Sequence, residues 1–201
     1  ATQAAGLTST QLAKMDPEDV QQFSTAVIAG LTADQLNGLT ADQLSGLTTL
    51  QVSKLVASQL ASLDSTQLQA LTTLQASVLT AVQIASLDSS QIGKLEADDM
   101  AKLSTGVIAA LTDAQIDGLT GQQITDLTTT QVAALTAAQV TGLSTTQIVA
   151  MESSDFAKLS TSAIAGLTVT QAAVLTADQV GALSTTQFRS LEAADLGAIN
   201  T

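Results

Sequence analysis

The side chains able to do chemistry in this chain are carboxylates, hydroxyls and carboxamides. There is no His, Cys, Tyr or Trp. A Ser–His or Cys–His nucleophilic pair is therefore excluded, and with it any disulfide or thiolate metal site. A Ser/Lys arrangement is not excluded by composition, and the placement of the lysines, described below, speaks against it. Two carboxylate groupings stand out, Asp16 with Glu18 and Asp19, and Glu96 with Asp98 and Asp99. Carboxylate oxygens are what a hard cation such as calcium takes, so these six are the metal candidates. The competing reading is that the acids cap helices and solvate the surface. The expectation is therefore no metal, no cofactor, no catalytic residue, and no enzyme.

An eight-residue unit positions all of these groups. From Leu31 to Leu55 the chain reads LTADQLNG-LTADQLSG-LTTLQVSK-L. With the leading Leu as position 1, that position recurs every eighth residue from 7 to 199, without slip or insertion. It is always apolar: 21 Leu, plus Met15, Phe23, Met151 and Ile199. Position 2 is Thr twelve times and Ser five times, position 5 is Gln in 17 of 24 units, and position 6 is always apolar.

Thr or Ser followed three residues later by Gln is a helix capping box, and apolar residues at positions 1 and 6 form the hydrophobic staple around it. In the opening stretch the box pairs are Thr32 with Gln35, Thr40 with Gln43 and Thr48 with Gln51. The core pairs are Leu31 with Leu36, Leu39 with Leu44 and Leu47 with Val52. Seven units place Gly at position 8 (Gly6, Gly30, Gly38, Gly46, Gly118, Gly142 and Gly166). A left-handed Gly there is expected to end the helix. Sixteen of the 18 acids sit at positions 2 to 5, and all five Lys (Lys14, Lys54, Lys94, Lys102, Lys158) sit at position 8. This is the distribution that the helix dipole favours, and it confines Lys to helix ends.

One continuous helix would turn through about 800° per octad, so its apolar stripe would never form a face. A strand needs period 2, which positions 1 and 6 do not share. The octad therefore predicts an all-α solenoid of very short capped helices, one per eight-residue repeat. It is expected to run as a single array over residues 1–201, about 25 units, with no capping repeats. Entry and exit in mid-octad suggest a piece of a longer solenoid or a subunit that stacks end to end. The octads leave open whether two or three of them complete a superhelical turn, and with which hand.

Variations on the unit carry further information. Where position 6 shrinks to Ala76 or Ala172, position 8 becomes Val78 or Val174, a local restoration of volume. Four units form an acidic class with Asp at position 5: Asp19, Asp99, Asp155 and Asp195. The first three are followed by a unit with an apolar position 5, namely Val27, Val107 and Ala163. The acidic units are ten, seven and five octads apart, which looks like duplication of octads between markers and not like a fixed longer repeat.

A net charge of -12 argues against binding nucleic-acid phosphates, which needs basic clusters, and disfavours anionic membranes. No apolar run approaches the roughly 20 residues of a membrane span. The Thr residues at position 2 could form an ice-binding ladder, but hydroxyls used in capping are not free to organise water.

The run LTTTQVAALTAAQVTGLSTTQIVAM, from Leu127 to Met151, resembles the LTxxQ[VIL]xx octad arrays of very large bacterial secreted and surface proteins, often described as adhesin-like. The resemblance extends over the whole chain. It implies an extracellular structural role, as the stalk of a surface adhesin or as a fibre. Its expected partner is itself, as a homopolymer or as neighbouring repeats, with no nucleic acid, membrane insertion or small-molecule substrate. The alternative is a binding module that uses one solenoid face for protein, glycan or ice, with calcium as a stabiliser.

Overall fold

The computed structural model describes residues 6–199. Those residues fall into two compact units divided between Leu103 and Ser104, and among them 24 helices of four to six residues occur and no strand. The first unit holds α1 (Ser9–Leu12), α2 (Pro17–Gln21), α3 (Thr25–Ala29), α4 (Ala33–Asn37), α5 (Ala41–Ser45), α6 (Thr49–Ser53), α7 (Ala57–Ala61), α8 (Ser65–Gln69), α9 (Thr73–Ala76), α10 (Ala81–Ile84), α11 (Ser89–Ile92) and α12 (Ala97–Met100). The second holds α13 (Thr105–Ala109), α14 (Asp113–Asp117), α15 (Gly121–Thr125), α16 (Thr129–Ala133), α17 (Ala137–Gly142), α18 (Thr145–Ala150), α19 (Ser153–Phe156), α20 (Thr161–Ala165), α21 (Val169–Ala172), α22 (Ala177–Ala182), α23 (Thr185–Ser190) and α24 (Ala193–Ala198). Each helix starts at position 3 of an octad, with position 2 as its N-cap.

Helices this short do not persist alone. Their support comes from the third helix along the chain. In the first unit α4 packs on α1, α5 on α2 and α6 on α3, and the register continues through α7 on α4 to α12 on α9. In the second, α16 packs on α13 and the same step runs to α24 on α21. One superhelical turn within each unit is therefore three octads. This settles the choice between two and three that the sequence left open.

Positions 1 and 6 fill the interior. Leu31, Leu39 and Leu47 are 3–4% exposed, and Leu36, Leu44 and Val52 are wholly buried. A buried aliphatic side chain contributes about 1.5–3 kcal/mol, so the staple pair is what makes a five-residue helix persist. Ala76 and Ala172 are buried, and Val78 and Val174 beside them are half-buried.

The expected left-handed Gly does not occur. No described residue has a positive φ, and Gly38 closes α4 in the right-handed region at φ -74, ψ -12. Five helices of the second unit end at an extended residue at position 1, such as Leu143 at φ -67, ψ 137, which any residue adopts. At Gly38 the constraint is space instead. A Cβ on Gly38 would fall 2.9 Å from Ser9 Cα and collide with the Ser9 side chain in the preceding turn. Ser62 and Ser86 at position 8 tie the turns together: Ser62 Oγ lies 3.2 Å from Ala33 O, and Ser86 Oγ lies 2.9 Å from Ala57 O and 2.7 Å from Gln83 O, its hydroxyl donating.

Candidate functional site

The feature that recurs with most chemistry is the position-5 Gln. Its oxygen plays the expected part. Thr40 N–H donates to Gln43 Oε1 at 2.8 Å, while Gln43 N–H donates to Thr40 Oγ1 at 3.2 Å. The Thr32–Gln35 and Thr48–Gln51 boxes close in the same way. Val56 has no acceptor, so its octad keeps only one half of the box, Val56 N–H to Gln59 Oε1 at 2.8 Å.

The amide nitrogen does something further. Gln43 Nε2 donates to Leu12 O at 2.8 Å and to Met15 O at 2.6 Å, both in the preceding turn. Gln59 reaches Ile28 O and Leu31 O at 2.9 and 2.7 Å, and Gln75 reaches Leu44 O and Leu47 O at 2.9 and 2.7 Å. In the second unit Gln139, Gln147, Gln171 and Gln179 repeat the geometry, with pairs of bonds between 2.7 and 2.9 Å. Each of these amides is buried, and each uses both N–H donors and its oxygen, which is the condition for a polar group to sit in a core without penalty. The Gln is thus at once a cap partner and a clamp between turns. A capping box accepts Glu as readily as Gln, yet Glu never occupies position 5 in this chain. That exclusion is the signal in the sequence for a second, donor role.

The acidic octads break the pattern. Asp64 and Asp88, which face a Gln at position 5, cap their helices through Oδ1 at 2.9 and 2.8 Å, shorter than the Thr caps, as charge-assisted bonds are. Asp16, Glu96, Glu152 and Glu192, which face an Asp, make no side-chain capping bond. The expectation that acids act as caps therefore fails in the four octads that carry a carboxylate at both ends of the box. Asp99 is 1% exposed, and its Oδ2 is enclosed without a hydrogen-bond partner. Burial, then the carboxylates of Glu96 and Asp98, push the Asp99 carboxyl up from 3.8 to about 6. Asp155 is raised by burial and by Glu152, with Lys158 acting in the opposite sense. Asp19 is exposed, whereas Asp195 is buried and accepts the Glu192 N–H through Oδ2 at 3.2 Å.

Asp16, Glu18 and Asp98 lie on the surface or partly so, and among the described residues no three acidic side chains are arranged to hold a metal ion. The described residues enclose no pocket. No helix among them is long and apolar enough to cross a membrane. The Thr hydroxyls of position 2 face solvent but accept the N–H of the residue three further on, as Thr112 and Thr136 do at 3.3 and 3.2 Å.

No curated protein matches the chain. The sequence profile of the ALTTAQ repeat matches three segments, residues 12–49, 92–129 and 148–185. Each segment opens four residues before the cap of an acidic octad (Asp16, Glu96, Glu152). Each also contains the apolar position 5 that follows (Val27, Val107, Ala163). The acidic octad and its apolar successor are thus a fixed part of the recurring segment, even though the segments stand at unequal intervals. These matches cover more than half of the chain, which belongs to the ALTTAQ repeat family.

Proposed function

We propose that the protein is an extracellular structural element, a stalk or filament built by stacking identical turns, with no catalytic step. The observation that carries this reading is the polarity of the turn. One face of each turn presents amide donors at position 5, and the other presents the carbonyls of positions 1 and 6 that receive them, as in Gln147 to Ile116 and Leu119. Such faces complement each other wherever position 5 is Gln, and a heterologous contact whose rotation does not close gives an open filament. Stacking extends the core without altering the unit, so length is the property the sequence provides. The likeness to octad arrays of bacterial surface proteins supports a place outside the cell, as part of an adhesin or a self-assembled fibre.

Negative-stain microscopy tests this reading. Rods or fibres that lengthen with protein concentration, or a stalk of constant width in the parent protein, are expected. Compact particles of one size at all concentrations would refute it. A second reading, a binding face, draws on Leu50 and Leu74, which are 61% and 71% exposed and occupy position 4 of helices one superhelical turn apart. Binding to a glycan or protein array that is lost on Leu50→Ser with Leu74→Ser would favour that reading over the stalk.

A further inference from the structure

The acidic octads are places where the clamp between turns is missing. In Gln octads the amide reaches the position-1 carbonyl 28 residues back. The same step from Asp99 leads to Leu71, directly before α9, on which α12 packs. From Asp155 it leads to Leu127, directly before α16, on which α19 packs. An ionised Asp supplies no donor at either place, and Oδ2 of Asp99 is left enclosed without a partner. The octad after Asp155 does not repair the defect, because its position 5 is Ala163, wholly buried and without a donor. The clamp resumes only at Gln171, which bonds Val140 O and Leu143 O at 2.8 and 2.7 Å.

We propose that Asp99 and Asp155 make these seams acid-tightened: a proton on the buried carboxyl removes an unpaired charge and supplies the donor that the carbonyls of the preceding turn otherwise receive from Gln. The enclosed, unpartnered Oδ2 of Asp99 is the group that gains this bond. The charged groups around it are Glu96, Asp98 and Lys102 of its own octad, and α9 brings none. Around Asp155 stand Glu152 and Lys158. There α16 brings no ionisable group, and α22 brings Asp178, which is exposed.

The raised carboxyl of Asp99 gives the direction of the effect. A group whose folded pKa lies above its unfolded value stabilises the fold fully below the unfolded value and loses that contribution as pH rises through the folded one. For Asp99 the window runs from 3.8 to about 6. Raising pH from 5.0 to 7.5 then multiplies the unfolding constant by about tenfold through this residue.

The test is denaturant unfolding of the full chain at pH 5.0 and 7.5 as wild type, as Asp99→Asn with Asp155→Asn, and as Asp42→Asn. Asp42 is an exposed acid in a Gln-bearing octad and serves as the control for net charge. Asn is neutral and carries a donor at both pH values, so the double variant is expected to be the more stable at pH 7.5. It should lose the tenfold change, while Asp42→Asn keeps it. Hydrogen exchange of the 95–103 segment, corrected for intrinsic rate, localises the effect. An unchanged pH response in the double variant would overturn the proposal. So would a calcium-induced rise in stability at pH 7.5 that the double variant lacks, since the slot would then hold a metal ion and not a proton.

Discussion

Replacing Gln43 by Met keeps the length and volume of the side chain and removes every hydrogen bond it makes. Three bonds go: Thr40 N–H to Oε1, and Nε2 to Leu12 O and to Met15 O. Leu12 O retains the N–H of Met15 at 3.0 Å. Two part-buried groups lose the partner the Gln supplied, the Thr40 N–H and the Met15 carbonyl. At about 0.5–1.5 kcal/mol net for each of the three bonds, and with the thioether offsetting part through its own burial, the expected loss is about 1.5–4 kcal/mol. Solenoid stability is a sum over neighbouring repeats, so the loss appears as a lower denaturation midpoint together with faster exchange of the Thr40 amide. Gln11 provides the internal comparison. Its side chain bonds only Thr8 among the described residues, so Gln11→Met removes a cap partner and no clamp, and a loss of about 0.5–1 kcal/mol is expected. Equal effects at Gln11 and Gln43 would refute the claim that the amide holds one turn to the next.

Gly38→Ala is expected to destabilise by about 1–3 kcal/mol through overpacking against Ser9, read as a fall in thermal midpoint. Gly181→Ala should act in the opposite sense, because Gly181 lies inside α22 with nothing near its missing Cβ and a helical Gly gives up about 0.5–1 kcal/mol relative to Ala. Val56→Thr restores the absent half of a capping box and should stabilise by about 0.5–1 kcal/mol in denaturant unfolding. Asp64→Ala should remove the charged cap on the Gln67 amide for about 1 kcal/mol, whereas Glu96→Ala, which removes no capping bond, should leave stability unchanged or raise it by relieving the repulsion on Asp99.

The octad announces its helices because a five-residue helix has little besides its caps and its staple, and both are local. Thr32, Gln35 and Leu36 carry them within one unit. Two features depended on what lies one turn away. The Gln side chain reads as a cap partner from its spacing, and its second role surfaces only when the carbonyls 28 and 31 residues earlier come alongside. Gly38 reads as a left-handed stop, because that is how most helices use Gly. The actual constraint is Ser9 pressing from the preceding turn, and a three-octad pitch is needed to see it. That pitch was not legible because the octads are nearly identical, so nothing in a single unit marks its distance from its neighbour. The acids were legible as a class, but whether an acid caps turned on its partner three residues on. Asp64 with Gln67 caps, and Glu96 with Asp99 does not.

The central structural claim is that the turn contains three octads, and a cysteine pair tests it most directly because the chain has no cysteine of its own. A Cβ on Gly142 would lie 3.8 Å from the Cβ of Asp113, close to the mean separation in disulfides. Asp113→Cys with Gly142→Cys should therefore close a disulfide under mild oxidation, seen as a mobility shift reversed by reductant. The pair one octad shorter, Asp113→Cys with Ala134→Cys, should remain reduced. Closure of the shorter pair in preference to the longer would place two octads in a turn and contradict the account.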